Sequence, residues 1–223
     1  MPVYNESATI RQIVDKVMQV PLDIELIIVD DASSDDTHEI LTKEIHPKYP
    51  GIKIYRHTVN KGKAAGIKTG IPQCTGDIIS IQDGDLETEP NDLIHLTAPI
   101  RSGGASVVYG SRYLNTHESH LYRSYQLGGR VLSWTVNLLY GQYITDEPAC
   151  YKVFKADILK AIKLDYDRFE FCPEVTAKVS KMGYKIKELP MNYYPRSFAE
   201  GKKLNWVDGL KAIWVLVKYR FIN

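Results

Sequence analysis

The chain has 223 residues, enough for one domain with a sizeable core, and its 44% hydrophobic and 25% charged residues are typical of a globular protein. A formal net charge of +1 argues against a nucleic-acid partner, which usually requires a strongly basic face. Cys74, Cys150 and Cys172 show no zinc-ligand spacing and indicate buried free thiols in a reducing compartment. The sequence contains no signal-peptide pattern and no apolar run of about 18 residues. It therefore predicts a cytoplasmic protein without a transmembrane helix.

The first half of the chain alternates helical and strand patterns. Ile10, Val14, Val17 and Met18 recur at helical spacing. Apolar runs of strand type occur at 25–29, 52–55, 77–81 and 106–109, and helices are predicted after 33–36, over about 62–71 and after Pro90. This alternation predicts an α/β fold with a mostly parallel central sheet flanked by helices.

The second half is more mixed. Its patterns predict helices at 123–140, 173–182 and 206–219, strands at 150–154 and 184–189, and a polar loop over 192–204. Because no repeat or linker interrupts the chain, we predict one domain over 1–223, with halves of about 1–115 and 116–223.

Two acidic clusters directly follow predicted strands. Asp30-Asp31 ends the first apolar run, and Asp83, Asp85 and Glu87 follow the third. Ligands of open α/β sheets bind at the carboxyl ends of strands, so both clusters should lie on one rim. The three alternating carboxylates would share a face and suit Mg²⁺ or Mn²⁺, which take oxygen ligands. Gly84 would let a ligand approach the backbone closely.

Several short motifs occur in order along nearly the whole chain. They are Pro2-Val-Tyr-Asn-Glu6, Val29-Asp-Asp-Ala-Ser33 with 35–37, Asn60-Lys-Gly-Lys63, 83–87, Gly110-Ser-Arg-Tyr113, Thr145-Asp146 with Tyr151-Lys152, and Arg196 with 201–203. This ordered set resembles family 2 glycosyltransferases of the GT-A (Rossmann-like) fold. The similarity is greatest to the polyprenyl-phosphate branch, which includes dolichol-phosphate mannose synthases and bactoprenol glucosyltransferases.

The resemblance implies a donor site that binds a nucleotide sugar of the GDP-mannose or UDP-glucose type. Tyr4, Glu6 and Asp31 would line the nucleoside pocket, with Pro2 and Val3 as its backbone wall. Asp83 and Gly84 would face the nucleotide sugar, and Asp85 with Glu87 would hold the metal.

The resemblance also implies the residues around the reacting groups. Arg112 would lie near the sugar and phosphates, and Arg123 would bind substrate. Arg196 and Lys202 would belong to a loop that closes over the donor diphosphate and the acceptor phosphate. Asp146 would serve as general base if the acceptor were a hydroxyl, or else it would orient the turn before Pro148.

The implied reaction moves mannose or glucose to a polyprenyl or dolichyl phosphate, by direct displacement with inversion. One alternative is the same chemistry on a glycan hydroxyl. Another is a nucleotide-binding protein that the absence of the usual first strand leaves inactive. A nucleotidyltransferase is disfavoured because the N-terminal region contains no glycine-rich signature loop.

Two features depart from the family pattern. The chain begins at Met1-Pro2, where family members have a preceding apolar strand, so we expect the sheet to lack its usual first strand and to be less stable. The C-terminal helix carries an apolar stripe (Trp206, Leu210, Ile213, Trp214 and Val217) beside Lys211, Lys218 and Arg220. This amphipathic helix would either contact the cytoplasmic membrane face peripherally or pack on the domain itself.

Overall fold

Two β-sheets organise the computed structural model, which describes residues 1–114, 123–195 and 206–222. The first sheet is wholly parallel, in the order β1 (Pro2–Val3), β2 (Ile27–Asp30), β3 (Lys53–Arg56). The second sheet has the order β4 (Ile78–Ser80), β6 (Lys152–Lys155), β5 (Val107–Ser111), β7 (Ile186–Pro190). Within it β6 runs antiparallel to both neighbours, whereas β5 and β7 are parallel.

The helices lie between and after these strands. They are α1 (Ile10–Met18), α2 (Thr37–Ile40), α3 (His46–Lys48), α4 (Lys63–Gly70), α5 (Asp92–Arg101), α6 (Arg123–Tyr140), α7 (Ala156–Ala161), α8 (Phe171–Lys181) and α9 (Trp206–Phe221). A π-helical turn over Leu41–Ile45 joins α2 to α3, and a 3₁₀ turn over Ile71–Gln73 follows α4. Within the described residues, no helix combines the length and apolarity that crossing a membrane requires.

The predicted α/β fold is confirmed, because three of the five strand pairings among the described residues are parallel and helices cover the sheets. Strand β2 illustrates the layering, since all four of its residues are buried. Ile28 packs in the cluster that includes Ile10, Ile13 and Val14 of α1. Val29 faces the other way, 3.6 Å from the position that a Cβ on Gly70 of α4 would occupy. Neighbouring residues of β2 thus bury opposite faces of the sheet.

The larger core lies on the second sheet. Tyr109 of β5 and Phe154 of β6 meet edge to face, with ring centroids 6.0 Å apart. Helices α6, α8 and α9 cover this cluster through buried residues such as Leu132, Val175 and Leu216. Each fully buried side chain of this size contributes roughly 1.5–3 kcal/mol, so this core holds the second half of the chain together.

We expected the sheet to lack its usual first strand. A strand of two residues, β1, pairs with β2 at this position. Its ladder is extended by two hydrogen bonds, from the Val29 N–H to the Met1 carbonyl and from the Asp31 N–H to the Val3 carbonyl, both 2.9 Å. Among the described residues, β4 pairs with β6 alone. Val3 of β1 packs against Gly84, which lies in the loop that follows β4.

Candidate active site

The loops after β1 and β2 are bound to each other. The Asn5 N–H donates to the Ser33 hydroxyl at 3.0 Å, and the Ser34 N–H donates to the Asn5 side-chain oxygen at 2.8 Å. Asn5 and Ala32 have φ angles of 54° and 61°, the left-handed region that non-glycine residues rarely adopt. Such backbone persists only where surrounding contacts hold it, and it clusters at binding sites.

Asp31 organises the loop that precedes α4. Its carboxylate accepts the Gly62 N–H at 2.7 Å and the Lys61 N–H at 2.9 Å, and it lies 2.7 Å from Nδ1 of His57. The residue is only 3% exposed. The carboxylate that the family resemblance assigned to the nucleoside pocket therefore supports the loop 60–62.

Gly62 is required at the end of this loop. Its φ is +108°, and an added Cβ would lie 2.5 Å from the carbonyl oxygen of Asp167 and 2.9 Å from the Arg168 side chain. The Ala64 and Ala65 N–H groups donate to the carbonyls of Arg168 and Asp167. Any larger residue would push α4 away from the segment before α8. The lysine that begins α4 would move with the helix.

That lysine, Lys63, pairs with the second acidic cluster. Its ammonium lies 2.6 Å from Oδ1 of Asp83. Burial alone would raise the pKa of Asp83, but the Lys63 charge outweighs it and holds the pKa below its usual range. Lys63 belonged to a recognised motif, yet its role was missed because its partner lies 20 residues further along. Asp83, expected to face the nucleotide sugar, is held by this pair.

Gly84 makes a close approach to other parts of the protein. A Cβ there would lie 2.6 Å from Cγ1 of Val3 and 3.7 Å from Cγ of Glu6. The Thr9 hydroxyl lies 3.1 Å from both the Gly84 carbonyl and a carboxylate oxygen of Glu6. Predicted pocket residues on the first loop and the acidic loop are thereby brought together. The glycine, however, is explained by packing against Val3.

Asp85 and Glu87, the predicted metal ligands, are both partly exposed. Oδ1 of Asp85 accepts the Glu87 N–H at 3.0 Å, and Oε2 of Glu87 accepts the Tyr193 hydroxyl at 2.7 Å. No group of three or more His, Cys, Asp or Glu residues is arranged as a metal shell within 1–114, 123–195 and 206–222. Mg²⁺ and similar ions usually take one or two carboxylates plus phosphate and water oxygens, so this donor set fits them.

Tyr193 connects the acidic loop to an arginine. Besides its bond to Glu87, its ring lies under the Arg112 guanidinium, with 5.0 Å from Cζ to the centroid. The Tyr194 N–H donates to the Glu87 carbonyl at 2.8 Å, which ties the segment after β7 to the same loop. Burial and the Glu87 carboxylate raise the pKa of Tyr193, so its hydroxyl stays protonated as a donor. The sequence predicted only a polar loop over 192–204 and did not indicate that Tyr193 contacts Glu87 and Arg112.

The partly buried Arg112 and the fully buried Asp146 form a bidentate pair. Nε and Nη2 of Arg112 each donate to one Asp146 oxygen at 2.7 Å, and the Arg112 backbone N–H donates at 2.9 Å. Burial alone would lower the pKa of Arg112, but Asp146 outweighs it and raises the pKa, so the guanidinium stays charged. Asp146 is 0% exposed, and its own N–H donates to Glu188 at 2.9 Å. This geometry favours the positioning role of Asp146 over the general-base role.

The remaining predicted residues are distributed as follows. Pro2 packs against α4, because a Cβ added to Gly66 would lie 3.0 Å from the Cβ of Pro2. Tyr4 is partly exposed. Arg123 begins α6, although its side chain lies outside the described residues, as do Arg196 and Lys202.

Comparison with known proteins identifies the family. A model described as Glycosyl transferase family 2 matches residues 1–163. The chain is 27% identical to the UDP-N-acetylglucosamine–dolichyl-phosphate N-acetylglucosaminyltransferase of Methanococcus voltae, over 97% of this chain and 93% of that protein. It is 26% identical to the dolichol-phosphate mannosyltransferase of Pyrococcus furiosus, over 91% of this chain but only 57% of that longer protein.

Solved structures agree on the fold. Glucosyl-3-phosphoglycerate synthase of Mycobacterium tuberculosis, in complex with Mn²⁺, UDP-glucose and phosphoglyceric acid, superposes with a TM-score of 0.72 at 18% identity, covering 100% of this chain and 78% of that one. This likeness confirms the GT-A fold class. Together with the family match over most of the chain, it shows that the chain belongs to glycosyl transferase family 2 and is a glycosyltransferase related to the dolichyl- and polyprenyl-phosphate glycosyltransferases.

Proposed function

We propose that the protein transfers a hexose, mannose or glucose, from a nucleotide sugar of the GDP-mannose or UDP-glucose type to a polyprenyl or dolichyl phosphate. The transfer would proceed by direct displacement with inversion and would depend on Mg²⁺ or Mn²⁺. The observation that carries the proposal is the Tyr193 contact, which joins the acidic loop at Glu87 to the partly buried cation Arg112. It sets oxygen donors for a metal beside a permanent positive charge.

Each residue of this arrangement has a definite part in the proposal. Asp85 and Glu87 would hold the metal, which when bound supplies positive charge to the leaving diphosphate. Arg112 would add guanidinium N–H donors in a fixed orientation, because both Asp146 oxygens hold it. Lys63 neutralises Asp83, so that this carboxylate does not repel the donor phosphates.

A phosphate acceptor is favoured over a hydroxyl. A lipid phosphate is already ionised near neutral pH, whereas a hydroxyl needs a base to remove its proton. Asp146, the candidate base, is fully buried and engaged by Arg112. Arg196, Lys202 and Lys203 add positive charge in the sequence beyond what a donor diphosphate needs. The names of the relatives support the same acceptor class.

The acceptor class also bears on location. We propose that the protein works in the cytoplasm, at the cytoplasmic face of a membrane, because a polyprenyl phosphate is embedded there. Its association would be peripheral.

The test is a screen of nucleotide sugars with Mn²⁺ or Mg²⁺, in which release of nucleoside diphosphate is measured with and without a short-chain polyprenyl phosphate. We expect one donor to support release that depends on both the metal and the lipid phosphate. Release that depends on a glycan instead would establish the hydroxyl alternative. Nucleotide binding without any turnover would establish the alternative of an inactive nucleotide-binding protein.

A further inference from the structure

Helix α6 presents an apolar stripe to solvent. Leu127, Val131, Trp134 and Leu138 are spaced along one helical face and are 66%, 42%, 65% and 65% exposed. The opposite face, with Leu132 and Val136, is buried in the larger core. Single exposed apolar side chains are common on protein surfaces, but a continuous row of large ones along a helix indicates a binding surface.

Helix α9 carries a second stripe beside the first. Val207, Leu210, Trp214 and Phe221 are 39%, 57%, 64% and 80% exposed, whereas Ala212, Val215 and Leu216 are buried. The expected stripe of α9 is therefore divided, because Ile213 packs against the core while Leu210 and Trp214 face outward.

The two helices are neighbours. They pack against each other, and the Tyr140 hydroxyl at the end of α6 donates to the Leu216 carbonyl at 2.6 Å. Both stripes lie opposite faces that are buried in the same core cluster. They therefore form adjoining parts of one surface, which we call the α6–α9 face and define by the eight exposed residues just named.

The composition of the two helices indicates what this face binds. All three tryptophans of the chain lie in α6 and α9. The helices hold five basic residues and one acidic residue, although the whole chain has a net charge of only +1. Lys211 and Arg220 are exposed next to the apolar stripe of α9. Exposed tryptophans flanked by basic residues are typical of surfaces that rest in the headgroup region of anionic bilayers.

We infer that the α6–α9 face is a docking surface for an anionic lipid bilayer, with Trp134 and Trp214 inserted at the headgroup level. A second copy of the chain fits less well, because two positively charged faces would oppose each other. The inference rests on the proposed function only in one respect, because the proposed lipid-phosphate acceptor is what brings the protein to a membrane. Its own evidence is the exposure, the tryptophans and the charge.

Tryptophan fluorescence tests this directly, since every tryptophan lies in these two helices. The full chain, without donor or acceptor, is mixed with vesicles of phosphatidylcholine containing about one third phosphatidylglycerol at low salt. We expect a blue shift and quenching by brominated lipids. Vesicles of phosphatidylcholine alone should bind much more weakly.

Variants separate the apolar and charged contributions. Trp134→Ser with Trp214→Ser should weaken flotation with anionic vesicles about tenfold or more. Lys211→Gln and Arg220→Gln should each weaken it roughly fivefold at low salt. The matched control is Val59→Ser, which alters a side chain that is 60% exposed outside these helices and should bind vesicles as the wild type does.

Three outcomes would overturn the inference. One is an absence of wild-type binding to anionic vesicles at low salt. The second is binding that requires polyprenyl phosphate in the vesicle, which would assign it to the acceptor site. The third is a dimer in sedimentation that the double tryptophan variant abolishes. Turnover with a short-chain acceptor in solution is scored separately, so that failure of docking and failure of the proposed function are distinguishable.

Discussion

The two acidic clusters at the ends of β2 and β4 have the same sequence character but different surroundings. In the first, Asp31 is nearly fully buried and receives backbone N–H groups of Lys61 and Gly62. In the second, Asp85 and Glu87 stay partly exposed, and Glu87 is held by a tyrosine from a distant segment. Carboxylates that follow strands can thus be buried supports of a neighbouring loop or stay partly exposed at the rim. We propose that the partly exposed carboxylates are the ones that hold a metal.

The largest effect is expected for Asp85→Asn. The amide cannot carry the negative charge that a divalent ion requires, so metal-dependent turnover should fall by about 100-fold or more. The melting temperature should stay near that of the wild type, because Asp85 is partly exposed. Steady-state rates over a Mn²⁺ titration measure this. Turnover at the wild-type level would remove Asp85 from the site.

Asp31→Asn should act on stability. One of the backbone donors would lose its charged acceptor, and the contact with His57 would weaken, at a cost of about 3 kcal/mol in the free energy of unfolding. Urea unfolding measures the change. Asp36→Asn is the matched control, because Asp36 is exposed and makes no side-chain cap to α2. A variant that is stable but does not bind nucleotide would instead place Asp31 in the nucleoside pocket.

Tyr193→Phe tests the link between the second cluster and Arg112. The ring under the guanidinium remains, but the hydrogen bond to Glu87 is lost, so the metal affinity should drop roughly tenfold. Tyr194→Phe is the control, since Tyr194 is 56% exposed and reaches Glu87 only through its backbone. If both variants bound Mn²⁺ equally well, Tyr193 would have no part in orienting Glu87.

The smallest effect is expected at Asp165, a carboxylate that pairs with Lys178 and the Tyr219 hydroxyl. Lys178 and the Tyr219 hydroxyl lower its pKa to about 2. Its stabilising contribution is therefore present above its unfolded pKa of about 3.9 and is lost as the pH falls toward 2. Because the side chain is 43% exposed, the contribution should stay below about 1 kcal/mol. Melting temperatures from pH 5 to 2 should show a shallower decline for Asp165→Asn, with unchanged turnover; equal slopes would contradict this.

Local pattern predicted most of the fold. Helix α6 begins at Arg123 and ends at Tyr140 as its periodicity indicated, and each predicted strand has a counterpart. Helix α7 was missed because its six residues are too few for a periodic signal. The insertion of β6 antiparallel between β4 and β5 was also missed, since the order of strands in space is not written in their order along the chain.

The candidate site divides in the same way. Acidic residues that follow a strand could be located from sequence, because strand ends define the rim. The partners that give them different roles could not. Lys63 reaches Asp83 across 20 residues, and Tyr193 reaches Glu87 across 106. Such contacts depend on how α4 and the segment after β7 dock, which local spacing does not encode.

Metal binding in the presence of nucleoside diphosphate tests the central claim most directly. The free Mn²⁺ signal in electron paramagnetic resonance is followed as wild type, Asp85→Asn or Asp31→Asn is added, at a temperature where all three are folded. We predict that wild type and Asp31→Asn deplete the signal and that Asp85→Asn does not. Equal depletion by Asp85→Asn and wild type, or loss of binding in Asp31→Asn alone, would contradict the division of roles between the two clusters.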